Sequence, residues 1–159
     1  MDHMTTPCVG HTHLKVADLE RAVAFWRDVM GMDLTQRYGD QAAFLSWGGY
    51  HHHIGLNTWH SAGGTPPGKH HTGLFHVALL YPTWQALAAA ARRVSDAGVE
   101  IYGHADHGVS VALYFDDPDG NGVEIYWDKP RSDWPRAEDG SLKMRNDRFD
   151  LASFLAEAD

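Results

Sequence analysis

The feature that most limits what this chain can fold into is a weak internal repeat. Val9-Gly10-His11-Thr12-His13-Leu14-Lys15-Val16 reads as a strand, followed by Asp18 as a helix N-cap and a helix-like run from Leu19 to Met30 that ends at Gly31. Further on, Leu74-Phe75-His76-Val77-Ala78-Leu79-Leu80 reads as a strand, and Thr83 caps an alanine-rich helix running towards Gly98. Each histidine stands seven residues before its cap, 11 to 18 and 76 to 83. After each helix come three strand-like stretches broken by glycine or Asp-Gly turns, near 32–38, 41–47 and 50–58 in the first half and near 99–105, 109–116 and 122–128 in the second. Each half is therefore strand, helix, three strands, which makes the fold class α+β. The modules span about 9–60 and 72–128, joined by the Gly/Pro-rich linker Ser61 to Lys69. A single domain over 1–129 leaves a polar, turn-rich tail over 130–159, in which Phe149 to Ala158 reads as a short helix packing on the domain or on a second subunit.

Three residues on three of these strand-like segments suit a metal: His11, His76 and Glu124. Two neutral imidazoles and one carboxylate can hold a divalent ion on one face and leave the other open, as in non-haem Fe(II) oxygenases. Each residue alone could equally be a structural one, satisfied by a backbone bond. The repeat frame selects His11 as the counterpart of His76. His13 lies on the same strand face and remains the alternative ligand, or a pocket or core residue.

Composition narrows the function classes. At 159 residues, 43% hydrophobic and 21% charged, the chain is long enough and apolar enough for a packed core. A net charge of −8 argues against nucleic acid and anionic membrane as partners. Cys8 is the one cysteine, so neither a disulfide framework nor a cysteine-based zinc site is expected. No apolar run is long enough for a secretory leader or a membrane span, and a cytoplasmic location is the expectation. Histidine, with 12 copies, is the compositional outlier.

The stretches G-H-T-H-L-K-V-A-D-L-E-R-A-V-A-F-W-R-D-V-M-G-M at 10–32, G-L-F-H-V-A-L at 73–79 and D-P-D-G-N-G-V-E-I-Y at 117–126 resemble the vicinal oxygen chelate superfamily. That superfamily holds glyoxalases, fosfomycin-resistance thiol transferases, bleomycin-binding proteins and extradiol ring-cleaving dioxygenases. The resemblance implies two βαβββ modules curled into a cup-shaped mixed sheet around a metal, with His11, His76 and Glu124 as its ligands.

Within the superfamily, the resemblance runs most strongly to single-domain catechol 2,3-dioxygenase-like proteins. Glyoxalases of this type usually place a glutamate on the fourth strand, whereas no acidic residue lies between Gln41 and His71 here. Extradiol dioxygenases carry an acid–base histidine on that strand, and the H-x-x-x-L pattern lands on His52. By strand alternation His51 and His53 would face the other way, with His53 the alternative if the register differs. His107-Gly108-Val109-Ser110 resembles an H-G-V-S run of those enzymes, and Tyr114, ten residues before Glu124, stands where they have a tyrosine that contacts a substrate oxygen. Without those roles, His107 is a loop histidine and Tyr114 a core tyrosine on its strand.

The implied function is cleavage of a catechol-like diol by O2 at Fe(II), with Mn(II) a substitute, and a homodimer or higher homo-oligomer is the implied assembly. A module swap would draw His11 from a different subunit than His76 and Glu124. The alternatives are a glyoxalase-type isomerase or lyase, a thiol transferase, and a non-enzymatic drug-sequestering protein. The transferase wants a basic anion pocket, yet Lys69 is the only Lys or Arg between Tyr38 and His70. Six tryptophans and an acidic balance would suit sequestration of an aromatic cation, but members of that kind commonly lack the metal triad.

Overall fold

The computed structural model describes residues 7–158, so the extreme ends of the expected domain and tail, residues 1–6 and 159, lie outside the described residues. The chain divides into two compact units, Met1–Pro67 and Gly68–Asp159. The break falls inside the expected linker, where glycine and proline deny the backbone a regular ladder.

The first unit contains β1 (Thr12–Lys15), α1 (Leu19–Ala24), β2 (Asp33–Tyr38), β3 (Ala42–Ser46) and β4 (Ile54–Asn57). Its four strands pair in the order β1-β4-β3-β2, with β1 and β4 parallel and the other pairs antiparallel. Strand alternation sends Leu14 and Val16 into the core and leaves His11, His13 and Lys15 on the opposite face. Asp18 caps α1 by accepting from the Arg21 amide at 3.1 Å. The expected single helix to Met30 changes pitch on the way. Phe25–Val29 is a π turn, in which the Met30 amide reaches back five residues to the Phe25 carbonyl. The wider turn accompanies the complete burial of Trp26 beneath the sheet.

The second unit repeats the plan with β5 (Val77–Leu80), α2 (Trp84–Asp96), β6 (Gly103–Asp106), β7 (Ser110–Asp116) and β8 (Gly122–Asp128). Its order is β5-β8-β7-β6, again with the first and last strands parallel. Thr83 caps α2 through the Ala86 amide at 3.1 Å. The buried stripe Leu87, Ala88, Ala91 and Val94 lies among a core that includes Leu113, Phe115 and Ile125. Fully burying each large aliphatic side chain stabilises the unit by about 2 kcal/mol.

The tail is part of this second unit. Residues 130–149 return along the edge of β6, where Asp106 and Asp147 exchange backbone bonds. The chain then forms α3 (Leu151–Ala156), shorter than the expected 149–158, which packs on α2. Phe154 is buried there, edge-on to Trp84 at 4.8 Å between ring centroids.

One strand expectation needs correction. Tyr50 to His53 were expected within the fourth strand, but β4 begins only at Ile54, and 47–53 form a loop entered through Gly48-Gly49. The rings of His51 and His52 therefore do not alternate: their Nδ1 atoms lie 2.8 Å apart. The physical reason is that only His53 joins the ladder, bonding Leu45 and Thr12 through its backbone.

Candidate functional site

In the second unit, four of the six sequence-predicted side chains meet in one chain of contacts. His76 immediately precedes β5, and its Nε2 lies 2.9 Å from Glu124 Oε2 on β8. Tyr114, paired with Glu124 across β7 and β8, donates its hydroxyl to Glu124 Oε1 at 3.0 Å. His107 Nε2 lies 2.9 Å from the same phenol oxygen, and its Nδ1 is 3.1 Å from the Arg145 carbonyl of the tail. A carbonyl can only accept, so this contact places a proton on His107 Nδ1 and, in the neutral ring, leaves Nε2 as an acceptor. The single Tyr114 proton then has two acceptors to choose between, Glu124 and His107. Burial, and next the Glu124 charge, push the Tyr114 phenol far above its ordinary range, so it stays protonated at neutral pH.

Local sequence explains how these groups are brought together. The D-P-D-G-N-G run builds a turn on buried Asp117, which accepts from the amides of Asp119 and Asn121 and from the Asn121 side chain, each at 2.9 Å. That turn sets the start of β8. Gly122 comes next, and a Cβ there would run into the Phe75 carbonyl and meet His76 Cβ at 3.2 Å. Only a glycine lets the segment before β5 approach closely enough for His76 to reach Glu124.

In the first unit, His11 immediately precedes β1, as His76 precedes β5. Its ring is 4.3 Å from that of His52 between centroids. Burial first, and then the charge of His11 and its other histidine neighbours, hold His52 below the ordinary imidazole range, leaving it neutral at pH 7. His13 is engaged elsewhere. Its ring covers Gly55 and lies 5.9 Å from Phe44 and 5.6 Å from Trp59. His53 places Nδ1 2.9 Å from Ser46 Oγ and so helps to hold the loop.

Strand register shows which positions of the two units correspond. Thr12 and Val77, each one residue past its histidine, pair with Ile54 and Val123. The following residues, Gly55 and Glu124, therefore occupy the same place on β4 and β8. The first unit carries no carboxylate where the second carries Glu124.

The donor set fits a divalent metal. Two imidazoles and a carboxylate are the expected hard-to-borderline N/O ligands, and His76 Nδ1 is buried without a hydrogen-bond partner. Among the described residues no three His, Cys, Asp or Glu side chains are gathered as a metal group: His76 and Glu124 meet in the second unit, and His11 belongs to the first. Sequence reasoning missed the tail: Arg145 anchors His107, and Asn146 and Arg148 line a cavity of about 350 Å³ together with Tyr102, Gly103, Ala105 and Tyr114. No described helix is long and apolar enough to cross a membrane.

Comparison with known proteins identifies the family and the fold. A family model described as Glyoxalase/Bleomycin resistance protein/Dioxygenase superfamily matches residues 8–125. A catechol-2,3-dioxygenase of Bacillus subtilis is 38% identical over 150 residues, which cover 94% of this chain and 52% of that protein. The chain thus spans about half the length of that relative. A lactoylglutathione lyase of Haemophilus influenzae is 30% identical over 75% of this chain and 91% of its own. Among solved structures, a glyoxylase/bleomycin resistance protein/dioxygenase domain from Frankia superposes with a TM-score of 0.65 at 20% identity, over 79% of this chain and 100% of that one.

Proposed function

The chain belongs to the glyoxalase/bleomycin resistance protein/dioxygenase superfamily, and we propose that within it the protein is an extradiol dioxygenase that opens the ring of a catechol-like diol with O2. The observation that carries this reading is the Tyr114 phenol held between Glu124 and His107, a proton donor fixed beside a His/Glu ligand pair. A lyase-type site with a second carboxylate has no residue to supply it, because Gly55 stands at the place corresponding to Glu124.

His11, His76 and Glu124 would hold Fe(II), or Mn(II), both of which accept N/O ligands. The metal would supply Lewis acidity towards the diol oxygens and a path for electrons from the ring to O2. His52, neutral and with Nδ1 engaged by His51, has Nε2 to take one diol proton and later return it. Glu124, once it is a ligand, releases the Tyr114 proton for a substrate oxygen. His107, anchored by the Arg145 carbonyl, keeps that phenol in place. Both oxygen atoms enter the product, and the bond between one hydroxyl-bearing carbon and its neighbour outside the diol breaks to give a semialdehyde acid.

The test is anaerobic reconstitution with Fe(II), addition of a catechol panel, and admission of O2 while uptake and the yellow ring-opened product are followed. Stoichiometric uptake that disappears in His76→Ala supports the reading. Glu124→Ala should lose the metal, whereas His52→Ala should keep it and slow turnover by roughly 10²-fold or more. Bound iron with no oxygen uptake on any catechol would transfer the assignment to an isomerase or transferase.

A further inference from the structure

The cavity beside Tyr114 has a chemical character of its own. Antiparallel pairing of Asp106 with Asp147 adds the tail to the edge of β6, and places Asn146 and Arg148 on the sheet face that carries Gly103, Ala105 and Tyr114. Tyr114 links the two sites: its hydroxyl touches Glu124 and its side chain lines the cavity. At about 350 Å³ the cavity is the size of a small aromatic ligand.

Arg148 has no ion-pair or hydrogen-bond partner among the described residues, and the nearby acids are committed elsewhere. Asp147 pairs with Arg145 at 3.3 Å, Asp106 holds Lys129 at 2.6 Å, and Asp150 caps α3. In a chain with 21 acidic and 13 basic residues, an unpaired guanidinium is a local exception to a field that repels anions. Its planar fork matches a carboxylate in two-point geometry, and the Asn146 amide can add a third donor.

We propose that Arg148, with Asn146 beside it, receives a carboxylate carried on the aromatic diol, so that the substrate class is an anionic catechol. This rests on the ring-cleavage reading for the diol end, while the anion end rests on the cavity alone. Arg148 is then a specificity residue contributed by the tail.

The test compares 3,4-dihydroxyphenylacetate with its methyl ester, which share the ring and diol and differ in charge. Two ratios are measured on the full chain at fixed low ionic strength: kcat/KM with Fe(II) and O2, and anaerobic affinity by tryptophan fluorescence. The wild type should favour the acid roughly tenfold in both, the size of one partly exposed charge-assisted pair. Arg148→Gln should abolish that preference, mainly through KM. Arg148→Lys should keep part of it, and Lys143→Gln, which removes a tail charge outside the cavity lining, should keep all of it. A wild type without preference, an Arg148→Gln protein that retains it, or equal loss in Lys143→Gln overturns the proposal. If no catechol is turned over but the acid still binds better in an Arg148-dependent way, ring cleavage falls and the anion site stands.

Discussion

The two units are built on one plan and finished differently at the same position. On β8 the place carries Glu124, and Gly122 two residues earlier makes room for His76 to reach it. On β4 the corresponding places are Gly55 and His53, and the space above Gly55 is filled by the ring of His13. The βαβββ scaffold therefore offers the same strand position in both units, and a single side chain decides whether that position carries a carboxylate. In the proposed site the second unit would supply His76 and the carboxylate of Glu124, and the first would supply His11. The tail deepens the asymmetry, since it braces His107 in the second unit and has no counterpart in the first.

The largest effect should come from filling the space at Gly122. In Gly122→Ala the new methyl meets a backbone carbonyl, which cannot rotate away, so β5 and β8 must separate. We expect a loss of about 3 kcal/mol in denaturant unfolding, together with weakened metal retention, because His76 is carried off with its strand. Retained stability and metal content would show that the close approach does not govern His76.

Next comes the brace. Gly108 has φ of +80°, and a Cβ there would lie 2.8 Å from Pro135 Cγ and 3.2 Å from Arg145 Nε. Gly108→Ala should cost about 2 kcal/mol, part from the left-handed backbone and part from pushing the tail off His107. Gly39→Ala is the matched control, with φ of +58° and open space around it, and should show the backbone part alone, about 1 kcal/mol. Equal melting shifts for the two would remove the tail contact from the account.

How much of this was legible beforehand follows from the range of the interactions. Asp18 and Thr83 were readable as caps because capping is settled within one turn of chain. The repeat frame placed His11 and His76 at matching points because each sits one residue before its strand. The run Tyr50 to His53 misled, since alternation is a property of paired strand, and only His53 is paired. The tail was opaque for a different reason. Its return to β6 depends on Asp147 finding Asp106 across a long loop, and nothing local in a polar, turn-rich segment marks that partner. Arg148, which remains exposed, therefore reaches the cavity lining from a segment that nothing local in the sequence marks.

The same edge supports a pH prediction of smaller size. Burial by itself would raise the Asp106 carboxyl, but the Lys129 ammonium, the Gly108 amide and the Arg145 charge outweigh it and hold it below the usual range. A carboxyl depressed in the folded state adds stability that is present above its unfolded value and lost as pH falls through its folded value. Asp106→Asn keeps an acceptor for Gly108 and removes the ion pair, so it should cost about 1 kcal/mol at pH 7, an amount already reduced for solvent screening. The gap to wild type should hold from pH 7 to about pH 5 and close below about pH 4, near the ordinary value of an unfolded aspartate. A gap that widened on acidification would reverse the assigned sign.

The smallest change tests the comparison most directly. Gly55→Ala sits at the place of Glu124, yet the atoms its Cβ would meet, at 2.9–3.0 Å, belong to the His13 ring rather than to backbone. The ring can make room only by turning about its first side-chain torsion, which gives up its contacts with Phe44 and Trp59, so we expect a loss of no more than about 1 kcal/mol and a shift in His13 environment visible by NMR. His13 itself titrates below the ordinary imidazole range, through burial first and the neighbouring His11 charge second. Turning the ring outward should raise that value towards the ordinary one. If Gly55→Ala were as damaging as Gly122→Ala, the first unit would be as tightly constrained at this position as the second. The contrast between a place that holds a carboxylate and one covered by a movable ring would then be lost.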